Sequence, residues 1–191
     1  MRPLLIPLTA ACLPLVALLG AASAHAEAFA GASAGLSSQQ LVCAANAPCD
    51  DKAGALRLSA GWRFNDRWSF EATWLRATPD FTASDSLGSL TWNGRVAMEA
   101  ISASAAFDLR LGSLPLQLRA GVASVRGKFD SATAGVLDSS ASEVRPILGL
   151  GLRQSFAGQW ALRADFDVTE GQAYTRKGRF SVFTVGVERR F

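Results

Sequence analysis

The sequence alternates between apolar and polar residues over short stretches that polar connections separate. In one stretch every second residue from Leu56 to Phe64 is apolar, and the residues between them are Arg, Ser or Gly. A period of two is typical of β-strands, because successive side chains point to opposite faces of the sheet. The pattern predicts eight strands, a weak one at 29–36 and clearer ones at 56–64, 68–74, 101–109, 116–122, 148–152, 160–168 and 183–187.

The connections between these segments alternate in length. Three are tight turns, at 65–67, 112–115 and 157–159. Four are long and polar, and they lie at 37–51, 79–93, 131–142 and 171–178. Long connections at one end and short turns at the other predict an all-β fold. That fold is an eight-stranded antiparallel up-and-down β-barrel with both ends of the chain on the short-turn side.

The face of the strands that points inwards decides the class of barrel. In a soluble carrier the apolar face lines the cavity, whereas in an outer-membrane barrel it contacts lipid and the charges lie in the lumen. The alternation alone does not distinguish these two arrangements. Aromatic residues near strand ends, such as Trp68 and Trp160, and an alternating segment that leads to Phe191 favour a transmembrane β-barrel.

The charged residues on the second face are then expected to form a network of ion pairs across the lumen. Acids and arginines that face each other in a narrow barrel plug it, whereas a conducting pore needs more strands. The predicted lumen network consists of Arg57, Arg63, Glu71, Asp108, Arg110, Arg119, Arg153, Arg163, Asp165, Asp167 and Glu188.

The first residues, 1–26, differ from the rest of the chain. A cation near the start is followed by an apolar run from Leu4 to Leu19 and then by small residues. This pattern is typical of a secretory signal peptide, and we predict cleavage after Ala26, which leaves a barrel domain at 27–191. An N-terminal membrane anchor is the weaker alternative, because prolines interrupt the apolar run and a cleavage site follows it.

Composition narrows the chemistry of the predicted barrel. The sequence has 19 Lys and Arg against 16 Asp and Glu, which is too balanced to indicate a nucleic-acid partner. Its single His, His25, lies in the predicted signal peptide. Cys43 and Cys49 lie close together in a turn-like stretch, and in an oxidising compartment they are expected to form a disulfide rather than remain free thiols. A metal site is not expected, because no further Cys or His is available beside them, and no cofactor is predicted.

Several motifs together resemble a known family. They are a first loop closed by cysteines, the segment Gly54–Phe64 that ends in Gly-Trp-Arg-Phe, a tight turn at Asn65, and the strand sequence Phe70-Glu-Ala. Residues 27–191 thus resemble the OmpA-like and OmpX-like small outer-membrane β-barrels. The resemblance implies an integral protein of the Gram-negative outer membrane with mobile surface loops, and it transfers no activity. Phe191 is similar to the end of that family's C-terminal assembly signal, from which Arg189 departs.

Catalysis is not expected from this sequence. Enzymes among the small outer-membrane barrels resemble one another in using a His beside a Ser or Asp, and residues 27–191 contain no His. The remaining candidates, Asp50-Asp51-Lys52 and the pair Asp165 and Asp167, are more simply a solvated loop edge and ion-paired lumen groups. The basic segment 174–179 could contact lipopolysaccharide phosphates, although an ordinary solvated loop is the preferred interpretation.

The predicted function is therefore that of an integral barrel of the cell outer membrane with a structural or surface-loop interaction role. A small-solute leak channel is the main alternative, and a soluble periplasmic lipocalin-like carrier is a weaker one. The expected partners are outer-membrane lipid and lipopolysaccharide, the barrel assembly machinery, and a surface or host ligand of the loops. The protein is expected to be a monomer.

Overall fold

A computed structural model describes residues 26–39, 52–78, 81–87, 90–112, 114–131, 139–173 and 176–191. None of these residues forms a helix long and apolar enough to cross a membrane. The strands are β1 Glu27–Gln39, β2 Lys52–Arg63, β3 Trp68–Thr78, β4 Phe81–Leu87, β5 Leu90–Leu111, β6 Leu114–Ser131, β7 Ser139–Ala157, β8 Trp160–Ala173 and β9 Arg176–Arg190.

These nine strands occupy eight positions around a closed barrel. Each strand pairs antiparallel with its neighbour, and β1 pairs with both β2 and β9. The ring closes because β3 and β4 both pair with β5, β3 along its lower part and β4 along its upper part. The predicted eight-stranded antiparallel up-and-down barrel is confirmed.

The strands are longer than the alternation predicted. β5 begins at Leu90 and β7 at Ser139, within segments predicted to be loops, and β8 and β9 remain paired up to Ala173 and Arg176. β7, β8 and β9 continue with mostly polar residues, so their ends show no apolar face. At the start of β5 the apolar residues Leu90, Trp92 and Val96 alternate in the opposite phase to the segment 101–109, so the predicted strand does not extend to them. The long connections are thus shorter than expected, and hairpins extend the wall at that end.

Apolar side chains point outwards from the barrel. Leu58, Ile101 and Leu148 are 53%, 60% and 64% exposed, while the neighbouring Arg57 and Ser102 are buried. A wall of exposed aliphatic side chains is unfavourable in water and is the surface that lipid covers in a membrane barrel. The expectation of a soluble lipocalin-like carrier is therefore wrong, because that class requires the opposite sense of alternation.

Aromatic side chains surround the short-turn end of the wall. The exposed rings there are Phe64, Trp68, Phe156, Trp160 and Phe191, as a girdle at the membrane interface requires. At the opposite end Phe180 does not belong to such a girdle. Its ring is 1% exposed and packs inside the barrel, because it occupies an inward position of β9.

The interior has two layers of different chemistry. Towards the long connections it is mainly apolar, and Leu75, Met98, Val125, Ile147 and Phe180 belong to one buried cluster. Below that cluster, towards the short turns, most inward positions are polar or charged, and the buried apolar exceptions are Phe29, Ala106 and Ala161. The alternation of residues along the chain predicted only the charged layer. The apolar layer could have been recognised from adjacent apolar residues such as Trp74 and Leu75, of which one faces lipid and the other faces the interior.

Candidate functional site in the barrel lumen

Seven charged side chains meet in the middle of the barrel, and we call them the lumen cluster. They come from five strands, and each residue is at most 5% exposed. Inward positions of the strands place them together, because residues two apart on a strand share one face. The members are Arg57 on β2, Glu71 on β3, Arg119 on β6, Arg163, Asp165 and Asp167 on β8, and Glu188 on β9.

Arg57 connects β2 to two other parts of the wall. One guanidinium nitrogen is paired with Glu71 on the neighbouring strand. The other lies 2.7 Å from Asp165 and 3.2 Å from Asp167, both on β8. A single arginine thus neutralises carboxylates from both sides of the lumen, which its planar fork of donors allows.

Arg119 approaches the same two aspartates from β6. It is paired with Asp165, and its second terminal nitrogen lies 2.8 Å from Asp167. Two glycines of β7, the strand between β6 and β8, leave the space for this contact. A Cβ atom on Gly151 would lie 2.7 Å from Asp165 Oδ1 and 3.0 Å from Arg119 Nη1. Because Gly149 and Gly151 have no side chains, the guanidinium of Arg119 can pass over β7 and reach β8.

Arg163 makes the longest connection in the cluster. Its Nη1 lies 2.8 Å from Glu71 on β3 and 2.8 Å from Glu188 on β9. Three strands separate β8 from β3 in either direction around the barrel, through β9, β1 and β2 or through β7, β6 and β5. The contact between Arg163 and Glu71 therefore crosses the whole width of the lumen.

A second, less buried group of charges lies nearer the short turns. Arg153 is 2.9 Å from Glu188 and 3.8 Å from Asp108. Arg63 is 3.3 Å from Glu27 and 3.9 Å from Asp108. These residues continue the network towards the short-turn end of the barrel. Part of this group is open to water, so its ion pairs contribute less than those of the lumen cluster.

Arg110 departs from the predicted network. It is exposed and has no ion pair within the part of the chain that the structure describes. It occupies an inward position of β5, but it lies one residue before the strand ends at Leu111. The barrel opens to water at that level. Its position along the strand, rather than the face it occupies, removes Arg110 from the network.

The arrangement of the lumen cluster favours charge neutralisation over catalysis. Asp165 and Asp167 each contact both Arg57 and Arg119, so neither carboxylate is placed to accept a proton from a substrate. The described residues contain no group of three or more His, Cys, Asp or Glu that could hold a metal ion. Asp50, Asp51, Cys43, Cys49 and the segment 174–175 lie outside the described residues.

Comparison with known proteins identifies the family. The family model described as "Outer membrane protein beta-barrel domain" matches residues 10–191. The chain belongs to this family. Its membership agrees with the outward apolar wall, places the protein in the bacterial outer membrane, and confirms the resemblance to the OmpA-like and OmpX-like barrels. No curated protein matches the sequence.

Solved structures of this family share the fold at low sequence identity. Neisserial surface protein A is 18% identical with a TM-score of 0.57, and the match covers 87% of this chain and 96% of that one. Ail of Yersinia pestis, solved in complex with the heparin analogue sucrose octasulfate, is 15% identical with a TM-score of 0.56 over 87% and 99%. OprG from Pseudomonas aeruginosa is 15% identical with a TM-score of 0.54 over 86% and 95%.

Proposed function

We propose that this family member is a structural barrel of the outer membrane whose lumen does not conduct and whose loop end carries its interactions. The observation that supports the closed lumen is the ion pair between Arg163 and Glu71, which joins opposite walls of the barrel. Side chains that meet at 2.8 Å across the lumen leave no continuous water path between them.

The apolar layer above the lumen cluster supports the same proposal. Leu75, Met98 and Phe180 are each 1% exposed and fill the lumen towards the loop end. On β7 the half-buried pair of Arg145 and Glu143 lies opposite Ala123 and Val125 of this layer. Elsewhere the layer offers a passing ion few polar ligands in exchange for its hydration. The interior therefore opposes conduction at two levels, by ion pairs in the middle and by packed apolar side chains above them.

The same contacts support a role without catalysis. The buried carboxylates of the lumen cluster are occupied by arginines, and the only His in the sequence, His25, precedes the barrel. This proposal also includes insertion by the barrel assembly machinery and a monomeric state. It includes the removal of residues 1–26 and a disulfide between Cys43 and Cys49 as well. The signal-peptide pattern supports removal of residues 1–26, and the oxidising compartment supports the disulfide.

Planar-bilayer recording distinguishes the structural barrel from the leak channel. We expect the refolded protein to insert without producing conductance steps, because the ion pairs of the lumen cluster and the apolar layer above them block the lumen. A larger porin added at the same protein-to-lipid ratio shows that insertion events are detectable, and a gel shift on the recovered protein shows that the barrel is folded. Sustained, reproducible steps from the folded protein would contradict the proposal and favour the leak channel.

A further inference from the structure

The outer wall formed by β3, β5 and β6 changes from apolar to charged at one level. On β6 the outward positions carry Leu118 and Val122 and then, closer to the loop end, Arg126 and Lys128. An apolar band about 25 Å tall is what the membrane interior covers in such barrels. The side chains above it therefore lie at the height of the lipid head groups, on the side with the longer connections.

The same transition occurs on the two neighbouring strands. On β3 the outward residue after Trp74 is Arg76, and on β5 the outward residue above Ile101 is Glu99. The strand register places Arg76 opposite Glu99 and Glu99 opposite Arg126. Side chains directly opposite on one face have Cβ atoms about 5 Å apart. The three strands thus present one continuous charged surface.

Cations dominate this surface. Arg76, Arg95, Arg126 and Lys128 are exposed, point outwards and have no ion pair among the described residues; we call them the cationic strip. Glu99 lies between two of them, where the indole N–H of Trp74 donates to its Oε1 at 2.5 Å. Asp130, opposite Arg95, is the other acid on this surface. Four cations face two acids, so the surface keeps a positive charge.

We propose that the cationic strip binds the phosphate groups of lipopolysaccharide in the outer leaflet. Arginine binds phosphate through two parallel hydrogen bonds, and lysine binds it as a compact charge. Directly below the strip, Ile101 and Val122 are 60% and 55% exposed to the lipid. The ligand that fits both parts of this wall has a phosphate head group above acyl chains.

The apolar part of the wall favours a lipid over a soluble polyanion. A soluble polysulfate would use the cations but would leave the wall below Trp74 without a ligand. Lipopolysaccharide places its phosphates and its acyl chains at the two levels that the wall offers. This inference does not depend on whether the lumen conducts, because the strip lies entirely on the outer surface.

The test compares folded protein in three kinds of vesicle: neutral phosphatidylcholine alone, with lipopolysaccharide, or with phosphatidylglycerol at equal phosphate content. The temperature at which the folded band disappears from an unheated gel is measured in each. We expect lipopolysaccharide to raise this temperature in the wild type and phosphatidylglycerol to raise it less. In Arg126→Gln/Lys128→Gln the rise is expected to fall by about half, because two of four comparable cations are removed.

Two further variants sharpen the experiment. Arg110→Gln removes one exposed cation at the opposite end of the same wall, and it should keep the full rise. Glu99→Gln removes an acid from the strip while keeping an acceptor for Trp74, and it should increase the rise. Arg126, Lys128 and Glu99 are exposed or half-buried on the outer surface, and Arg110 is exposed at the end of β5. The folded fraction of each variant in phosphatidylcholine is measured first.

Three results would overturn the proposal. The first is an equal rise in the wild type and in Arg126→Gln/Lys128→Gln. The second is an equal rise with phosphatidylglycerol, which would mean a general attraction to anionic membranes. The third is an equal rise when dextran sulfate is added to phosphatidylcholine vesicles, which would identify the strip as a site for soluble polyanions.

Discussion

At the scale of single residues, the stability of the interior depends on charges that are buried together. Two charges in a low-dielectric interior lose their hydration, and only close partners compensate for that loss. Glu71 has two such partners, Arg57 and Arg163, from opposite walls of the barrel. Each partner would keep its charge if Glu71 were absent, because an arginine does not deprotonate in proteins.

Replacing Glu71 by Ala is therefore expected to lower the free energy of unfolding by about 3–5 kcal/mol, the usual effect of removing one member of a buried ion pair. Arg110→Gln is the matched control at an exposed charge, and its effect should stay within about 0.5 kcal/mol. Urea unfolding of both variants in the same lipid provides the measurement. A loss in Glu71→Ala no larger than that in the control would mean that the lumen cluster does not stabilise the barrel.

The face of a charged residue could be predicted from sequence, but its depth could not. Arg110 and Arg119 both occupy inward positions, yet Arg110 is exposed at a strand end and Arg119 is buried against β8. Depth depends on strand tilt and on which strands meet across the lumen, and neither is present in the period of two. The contact between Arg163 and Glu71 required the three-dimensional structure for the same reason.

At the scale of single strands, the limits of prediction follow from what surrounds each part of a strand. Within the membrane one face meets lipid, so the alternation is clear in β2, β3 and β8. At the start of β5 the apolar residues Leu90, Trp92 and Val96 alternate in the opposite phase to those that face lipid, and β7 begins with polar residues at Ser139, so neither start continues the lipid-facing pattern. Near the loop end the inward face of a strand is apolar as well as the outward face, so the alternation is lost there too.

β9 closes the barrel, and its last residues contact both neighbouring strands. The backbone N–H of Phe191 donates to the carbonyl of Ala28 on β1 at 2.9 Å. The guanidinium of Arg189 lies 5.1 Å from the centre of the Phe191 ring and 5.6 Å from that of Trp160. An outward arginine is thus held between two interfacial rings, an arrangement that keeps its charge at the membrane surface.

Deletion of Phe191 is expected to reduce the yield of folded barrel, because it removes the bond to β1 and one of the two rings that hold Arg189. The measurement is the fraction of protein that reaches the outer membrane in a heat-modifiable form. Phe156→Ala removes a comparable exposed ring from the same girdle without touching β9, and it should have the smaller effect. Equal yields for the deletion and the wild type would refute an assembly role for Phe191.

At the scale of the whole molecule, eight strands form a closed ring, and β4 extends it by pairing with β5 alone. The ladders between β1 and β9 and between β3 and β5 complete the ring, and the lumen cluster connects strands that are not neighbours. Opening the ring requires the loss of a complete ladder together with buried ion pairs. Closed sheets with satisfied backbone groups resist unfolding in lipid and in mild detergent for this reason.

Unheated protein from the membrane fraction is therefore expected to migrate faster in a gel than the same sample after boiling, because the closed barrel stays compact in detergent. Closure of the ring depends on the strand ladders and not on the long connections, so protease trimming of those connections should leave this difference intact. Identical migration before and after boiling would show that the ring is not closed as described.

Closure between β1 and β9 also has a consequence for the export of the chain to the outer membrane. The two strands are at opposite ends of the barrel sequence, so the ring cannot form while the chain is still being exported. During that transit the arginines and carboxylates of the lumen are spread along otherwise apolar segments. They interrupt each segment before it becomes hydrophobic enough to be retained as a helix in the inner membrane. The charges that stabilise the finished barrel thus also prevent the chain from being retained in the inner membrane during export.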